Sequence, residues 1–415
     1  MQRKQAVVQM GVNACLTAYS LGAFFLYYNQ AVTETPAYES DLPAHIRMAV
    51  EDGWAYSLTA FFYRIFYAGQ PGGNRGAVLT ALFLMLATVA SVFLTALLLH
   101  ELPAGKRARL RDLSMEELFA GLLCNLVMPC FVTGIADGRY IGMQSASIWH
   151  NSTYLVMKPL GLLCLILYLR LMRDLSGLQA GSWSRFAAAL VVTTAVKPSF
   201  LLAFAPAMLL FLILDLLKGV PFRKLFYFGC AVLPSLLVIL VQNAVLFGSD
   251  TGNSFVFAPG EALRLHSAHP LVAAGLSILF PLWMLAGALA DGVFGKKTVW
   301  KKEEAFLWVM AFVGFGELFF FTESGSRALD GNFSWGYAFT ILPLFVWALM
   351  RALRGAAGEL RSAPASPEGE RALGAAALLR RGYLVMACIF FCWHLYCGLV
   401  FFLRLIRGVS YFMWT

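Results

Sequence analysis

The sequence has few charged residues and lacks several motif classes. Charged side chains make up 13% of the 415 residues, against about a quarter in an average soluble domain. There is no P-loop, no dinucleotide-binding glycine fingerprint and no HExxH, which argues against ATP-driven pumping and zinc proteolysis. There is also no CxxC pair, and the eight cysteines all lie in apolar stretches. We therefore expect them to act as small hydrophobic residues rather than as metal ligands or disulfides.

The sequence is rich in apolar residues. Hydrophobic residues make up 60% of the chain and the mean hydropathy is +0.70. Because such a chain cannot cover itself with polar side chains, lipid must be its solvent, and each span must satisfy its own backbone hydrogen bonds. The fold class predicted is therefore all-α: a polytopic integral membrane protein with about eleven transmembrane helices. The predicted spans are 8–28, 77–99, 116–134, 151–170, 185–197, 199–217, 225–247, 271–292, 304–321, 336–352 and 383–404.

Basic residues predict the orientation of these spans. Most of the 32 Lys and Arg residues fall in the loops of one side, the side expected to face the cytoplasm. This places the N-terminus inside, the C-terminus outside and the first span as a permanent anchor. The net charge of +9 is then a consequence of topology, so nucleic acid is not an expected partner.

Four long segments are predicted on the outer side: 29–76, 135–150, 248–270 and 322–335. The inner loop 355–380 is rich in Ala, Gly, Glu, Ser and Pro and is expected to be a flexible connector. The fifth and sixth spans are short and meet at Lys197–Pro198, where proline ends a helix. No internal repeat is apparent.

Segment 29–76 has the pattern of helices lying along the membrane surface. Residues 42–54 place apolar side chains on one face, and 56–67 are dense in aromatic residues. Ser40 or Asp41 can cap the first of these helices, whose first turn contains Pro43.

This arrangement resembles the glycosyltransferase C superfamily, in which an uncleaved first span precedes a long outer loop with an early acidic motif. Residues 41–46 (Asp-Leu-Pro-Ala-His-Ile) are similar to the first-loop motif of its bacterial members. The resemblance covers 1–220, expected to form a catalytic-type module, with variable helices in 221–415. The family's adjacent Asp-Glu and Asp-Pro-Trp motifs are absent, and we expect no large soluble C-terminal domain. The resemblance implies a bacterial cytoplasmic membrane and a polyprenyl-phosphate-linked sugar as donor.

By its position in the similar motif, Asp41 would be the catalytic base, and a sugar transfer with inversion does need a carboxylate to take the acceptor's proton. His45 lies four residues later and shares a helical face with it. Glu39, Asp52 and Asp137 are alternatives for the base. The competing interpretations are a plain helix cap for Asp41 and an interfacial histidine for His45.

Ionisable residues inside spans are a second indication of a functional site, because each costs several kcal/mol unless it is paired or hydrated. Lys158 and Lys197 are predicted to bind the lipid phosphate, together with Arg139 and His150, unless the lysines only extend to the headgroups. Glu317 is the acidic counterpart, expected near the outer surface.

The segment 322–335 has the composition of a sugar-binding wall, with Arg327, Asp330, Asn332 and Trp335 as candidates and an ordinary polar turn as the alternative. Arg327 is also a possible partner of Glu317. No metal site is required by the spacing, although Asp41 with Asp137 or Asp330 offers oxygen ligands for a divalent ion.

The leading hypothesis is an inverting membrane glycosyltransferase that passes a sugar from the lipid donor to a glycan or lipid acceptor on the outer face. A cell-envelope polysaccharide polymerase would instead place catalytic basic residues in two later outer loops. A transporter or lipid flippase should show repeats and broken helices in both halves.

Overall fold

The computed structural model describes residues 2–33, 37–53, 57–70, 73–132, 144–175, 177–247, 254–293, 300–325, 330–361 and 374–410. The chain is a predominantly helical, polytopic membrane protein. Seven helices among these residues are long and apolar enough to cross a membrane, or eight if one bent pair is a single span. The seven are Gln5–Val32, Asn74–Ala104, Ser152–Arg173, Ser199–Leu217, Phe222–Val245, Ser334–Ala357 and Leu378–Ile406.

The described residues form sixteen α-helices, named here in chain order. The first half contains α1 Gln2–Val32, α2 Leu42–Val50, α3 Leu58–Phe66, α4 Asn74–Ala104, α5 Met115–Cys124, α6 Ser152–Arg173, α7 Ala180–Val196 and α8 Ser199–Leu217. The second half contains α9 Phe222–Gly229, α10 Leu233–Phe247, α11 Glu261–His266, α12 Pro270–Ser277, α13 Leu279–Val293, α14 Lys302–Phe320, α15 Ser334–Arg361 and α16 Gly374–Ile406. Two short strands, β1 Phe255–Phe257 and β2 Phe321–Glu323, pair antiparallel, with Val256 opposite Thr322.

The predicted span 116–134 is helical only in its first part. Helix α5 ends at Cys124, and 125–131 is an irregular segment that includes Pro129. Proline and the residue before it disfavour helix, which explains the early end. The segment is held by other helices instead: Met128 N donates to His394 O at 3.1 Å, and Cys130 N to Leu276 O at 3.0 Å. Irregular backbone at membrane depth is tolerated where protein buries it in this way.

The predicted span 271–292 is also interrupted. Helices α12 and α13 meet at Ile278 with a bend of 78°. Pro281 lies in the first turn of α13 and has no N–H to continue the helix from α12. The neighbouring Phe280 N donates to Nε2 of His394 at 3.3 Å, while Nδ1 of the same ring lies 2.6 Å from Met128 O. One buried histidine in α16 therefore joins both interruptions.

The two helices predicted in segment 29–76 are present as α2 and α3. Asp41 occupies the N-cap position of α2, but its side chain makes no capping hydrogen bond; Ser40 Oγ accepts from Leu42 N at 3.3 Å instead. Arg64 of α3 donates from Nε to Ala49 O at 2.8 Å, close to the carbonyl end of α2. A cation at this end satisfies a free carbonyl and complements the helix dipole.

Charged pairs are concentrated at one end of the bundle, the end predicted to face the cytoplasm. Glu101 of α4 accepts from Arg170 and Arg173 at the end of α6, and Arg173 also bonds Glu303 at 2.5 Å. Four further side chains form two more pairs at this end: Lys302 bonds Asp215 at 2.6 Å, and Glu304 is paired with Arg351. Residues of 1–220 and 221–415 share these pairs and one continuous hydrophobic core.

Candidate functional site

The first outer segment is joined to the start of α6 by three hydrogen bonds. Asp41 N donates to His150 O at 3.1 Å, and Asn151 Nδ2 donates to Asp41 Oδ2 at 2.7 Å. His45 Nδ1 lies 2.8 Å from Ser152 Oγ. Because Asp41 and His45 are one turn apart on α2, both face the same helix N-terminus. This junction positions the Asp41 carboxylate, which is 34% exposed. Together with Lys197 and Trp335, the residues of this junction form the Asp41 cluster.

Asn151 is the central residue of the cluster. Its Oδ1 accepts from Tyr154 N at 2.9 Å and from Thr153 Oγ1 at 2.8 Å, which caps α6. Its Nδ2 is the group that holds Asp41. The N-terminus of a helix of 22 residues carries a partial positive charge from the peptide dipoles. The carboxylate therefore lies where the backbone favours an anion.

Lys197 reaches the same place from the break between α7 and α8. It follows Val196, the last residue of α7, and precedes Pro198, which prevents the helix from continuing. Its Nζ donates to Thr153 Oγ1 at 3.0 Å and lies 3.4 Å from Asn151 Oδ1. The side chain is 9% exposed. Asn151 therefore lies between this lysine and Asp41.

Trp335, at the start of α15, forms an aromatic wall for the cluster. Lys197 Nζ lies 4.6 Å from the centre of its ring, within the range of a cation–π contact. Its ring centre is 5.8 Å from that of His150 and 5.8 Å from that of Tyr154. This residue belongs to 221–415, so the cluster requires both predicted modules.

Two histidines beside the carboxylate are held neutral. Burial, with a smaller contribution from the Lys197 charge, lowers the pKa of His150 to about 3. For His45 the net pKa is lowered to about 4, mainly by burial; Asp41 raises it, and Lys197 and His150 lower it. His150 Nε2 lies 4.0 Å from Asp41 Oδ2. Both imidazoles are therefore neutral at neutral pH, and Asp41 and Lys197 are the acidic and the basic side chain beside them.

Three polar atoms around the cluster are buried without a hydrogen-bond partner among the described residues: Trp335 Nε1, Tyr154 Oη and Glu317 Oε2. A Cβ added at Gly336, beside Trp335, would lie 2.7 Å from Glu317 Oε2 and 2.8 Å from Ser199 O. The Glu317 carboxyl group therefore reaches the start of α8. Buried polar groups are normally satisfied, so this set indicates that water or a ligand supplies the missing contacts.

Lys158 reaches a different place from Lys197. Its Nζ donates to Ala146 O at 3.0 Å, below the cluster on α6. It lines a cavity of about 10 Å³ together with Thr88, Ser91, Asn125 and Ser147. That volume suits about one water molecule. Lys158 therefore contacts the segment 144–150 through Ala146 and supports its position. The two lysines that were predicted to bind phosphate thus contact different residues.

The remaining predicted residues divide into two groups. Asn332 Nδ2 donates to Glu323 Oε2 at 2.6 Å, and Asp330 is exposed. Arg139, Arg327 and Asp137 lie outside the described residues. No three His, Cys, Asp or Glu side chains in the described part of the chain lie close enough together to hold a metal ion.

Sequence reasoning missed three members of the cluster, Asn151, Ser152 and Thr153. They appear in the sequence as Asn-Ser-Thr at the start of a predicted span. An Asn followed by hydroxyl residues before an apolar run is a helix N-cap signal. That signal could have identified the cap, but only the tertiary structure shows the contacts of Asn151 with Asp41 and Lys197.

The cluster combines a partly exposed carboxylate, a buried ammonium group, neutral imidazoles and an aromatic wall at a helix N-terminus. Such a set can take a proton at one end and stabilise an anion at the other. The chain matches no family model, and comparison with curated proteins and with solved structures finds no significant similarity.

Proposed function

We propose that this protein is a membrane glycosyltransferase that uses a polyprenyl-phosphate-linked sugar and a glycan or lipid acceptor. The observation that carries the proposal is the meeting of Asp41 and Lys197 at Asn151. Asp41 comes from the first outer segment and Lys197 from a helix break, so neither position follows from local structure. A base and an anion-stabilising cation are the two groups that an inverting sugar transfer needs.

In the proposed reaction, Asp41 accepts the proton of the acceptor hydroxyl as that oxygen attacks the anomeric carbon. The bond from this carbon to the phosphate oxygen breaks on the opposite face, and the phosphate leaves with the electron pair. Lys197 and the N-terminus of α6 stabilise its charge. Trp335 offers a ring face to the sugar.

The proposal includes the topology of about eleven spans. Helix α5 with 125–131, helix α7, helix α14 and the bent pair would add to the seven candidates. The N-terminus would then be cytoplasmic and the cluster extracytoplasmic, in a bacterial cytoplasmic membrane. The charged pairs around Glu101 and Glu304 lie at the opposite end of the bundle from the cluster, which fits the positive-inside rule.

The test is transfer by purified protein reconstituted in lipid with radiolabelled polyprenyl-phosphate sugars. We expect Asp41→Asn to abolish transfer or donor hydrolysis while leaving the folded fraction unchanged. Glu51→Gln is the matched control, since this residue is an exposed carboxylate of the same segment and is not a candidate for the base. Wild-type protein that is inert towards a broad donor panel, or equal activity of both variants, would refute the proposal.

A transporter or flippase is the second candidate, because the structure contains more helix breaks than the sequence indicated. The irregular segment 125–131 and the bend at Ile278 meet at His394, and discontinuous helices are frequent in transporters. Flux of labelled lipid or sugar across proteoliposomes, without chemical change, would favour this candidate over the transferase.

A further inference from the structure

A groove of about 310 Å³ lies between α8 and the α9–α10 region, towards the end of α8 that is opposite Lys197. Its lining is apolar and includes Leu212 and Leu216 of α8 and Phe226 of α9. Gly229 also lines it, and a Cβ added at that residue would meet nothing within 4 Å. The groove is therefore apolar, and it is open at Gly229 because this residue has no side chain.

The rim of the groove is basic. Lys218 follows the last residue of α8, and Arg223 lies in the first turn of α9; both side chains are exposed. Arg223 directly follows the lining residue Phe222, and its guanidinium carbon lies 5.7 Å from the ring centre of Tyr227. Helix α8 starts next to Lys197 in the cluster, so this rim lies at the other end of the helix.

Acidic residues do not offset this charge. Between 177 and 247 the sequence contains one acidic residue, Asp215. Lys302 bonds both of its carboxylate oxygens at 2.6 Å, and the Asp215 side chain is buried. The rim therefore keeps its positive charge towards the membrane surface.

We propose that this groove binds one anionic phospholipid, with an acyl chain between α8 and α10 and the phosphate at Lys218 and Arg223. The apolar lining matches the chain, and the two cations match the headgroup. Basic residues at the membrane surface attract anionic lipids, and each contributes roughly a fivefold gain in affinity. The site lies in the leaflet opposite the Asp41 cluster and is independent of the transferase proposal.

The test is native mass spectrometry of the full-length protein with phosphatidylglycerol and phosphatidylcholine of identical acyl chains. We expect wild-type protein to retain one phosphatidylglycerol in preference to phosphatidylcholine. Lys218→Gln combined with Arg223→Gln should lower this preference by about thirtyfold, from two lost charges. Gly229→Leu should fill the groove and reduce the binding of both lipids.

Two matched controls separate the site from general lipid contact. Arg109→Gln with Arg111→Gln removes two exposed cations elsewhere, and Gly181→Leu adds a side chain at another helical glycine with free space. Both should bind lipid as wild type does. The proposal is overturned if wild type retains both lipids equally, if neither lipid is retained, or if the groove variants bind like their controls. Thermal unfolding of each variant establishes that it is folded.

Discussion

The amide nitrogen of Asn151 lies 2.7 Å from Oδ2 of Asp41, although 110 residues separate them in the chain. The other end of the same amide caps α6 and lies 3.4 Å from Lys197 Nζ. One neutral side chain therefore lies between the acidic Asp41 and the basic Lys197 and sets the distance between them. This relationship makes Asn151 the most informative position after Asp41.

Asn151→Asp should separate capping from carboxylate positioning. Aspartate still caps a helix, so we expect the unfolding temperature to stay near that of wild type. The new carboxylate at position 151 would repel Asp41, and the Nδ2 donor would be lost. Transfer activity should therefore fall by at least tenfold. Asn151→Ala should lose activity and also about 1 kcal/mol of stability through the lost cap. Activity of Asn151→Asp equal to wild type would show that the bond to Asp41 has no role in the reaction.

Lys197→Met should reduce turnover more than donor affinity. Removing one group that stabilises a developing anion costs about 100- to 1,000-fold in kcat. Lys197→Arg keeps the charge and the contact with Trp335, so we expect it to retain a larger fraction of activity. The measurement is kcat and KM with the labelled donor. A change confined to KM would assign Lys197 to ground-state binding alone.

Lys158→Met should act indirectly. The substitution removes the bond to Ala146 O but also the cost of a buried ammonium group. These effects oppose each other, so we expect a small change in unfolding temperature and a fall in activity through loosened positioning of His150 and Asn151. Loss of activity as severe as that of Lys197→Met would instead place Lys158 in contact with substrate.

Stability should fall in mild acid because of the neutral histidines. The pKa of His150 is about 3 in the folded protein and about 6.5 when unfolded. Above about 6.5 the residue is neutral in both states and has no effect. Below that pH only the unfolded state binds the proton, so stability decreases as pH falls towards about 3, by at most roughly 1.4 kcal/mol per pH unit. His45 adds to this effect down to about pH 4.

Thermal unfolding between pH 7 and pH 4 checks this prediction. His150→Gln cannot titrate and should show a weaker pH dependence than wild type. Identical slopes for the two proteins would show that His150 is protonated in the folded state.

The pair Glu304–Arg351 should stabilise the fold without affecting chemistry. Glu304 is buried and also accepts from Trp347 Nε1 at 3.1 Å. Breaking a buried pair leaves an uncompensated charge, so Glu304→Gln should cost about 3–5 kcal/mol in unfolding free energy. Glu304→Gln with Arg351→Met should recover part of this loss. The exposed pair of Glu261 and Arg264 is the control, where Glu261→Gln should cost under about 1 kcal/mol.

The structure differs from the predicted spans at two helix interruptions. Hydropathy predicted continuous spans at 116–134 and 271–292, since it averages over about twenty residues. The chain breaks both, at 125–131 and at Ile278. Pro129 and Pro281 were local signals for these breaks. The partner that makes the breaks tolerable, His394, lies more than a hundred residues away from either one and was not predictable from local pattern.

The sequence by itself determined that lipid surrounds this protein, and it determined the position of seven spans, the two short helices after the first span and the break at Lys197–Pro198. These features depend on apolar length, periodicity and proline, which act over a few neighbouring residues. Only the tertiary structure decided that Asp41, Asn151, Lys197 and Trp335 meet while Lys158 contacts Ala146 instead. That choice depends on how α2, α6, α8 and α15 pack, and a single sequence contains no direct signal for contacts between distant segments.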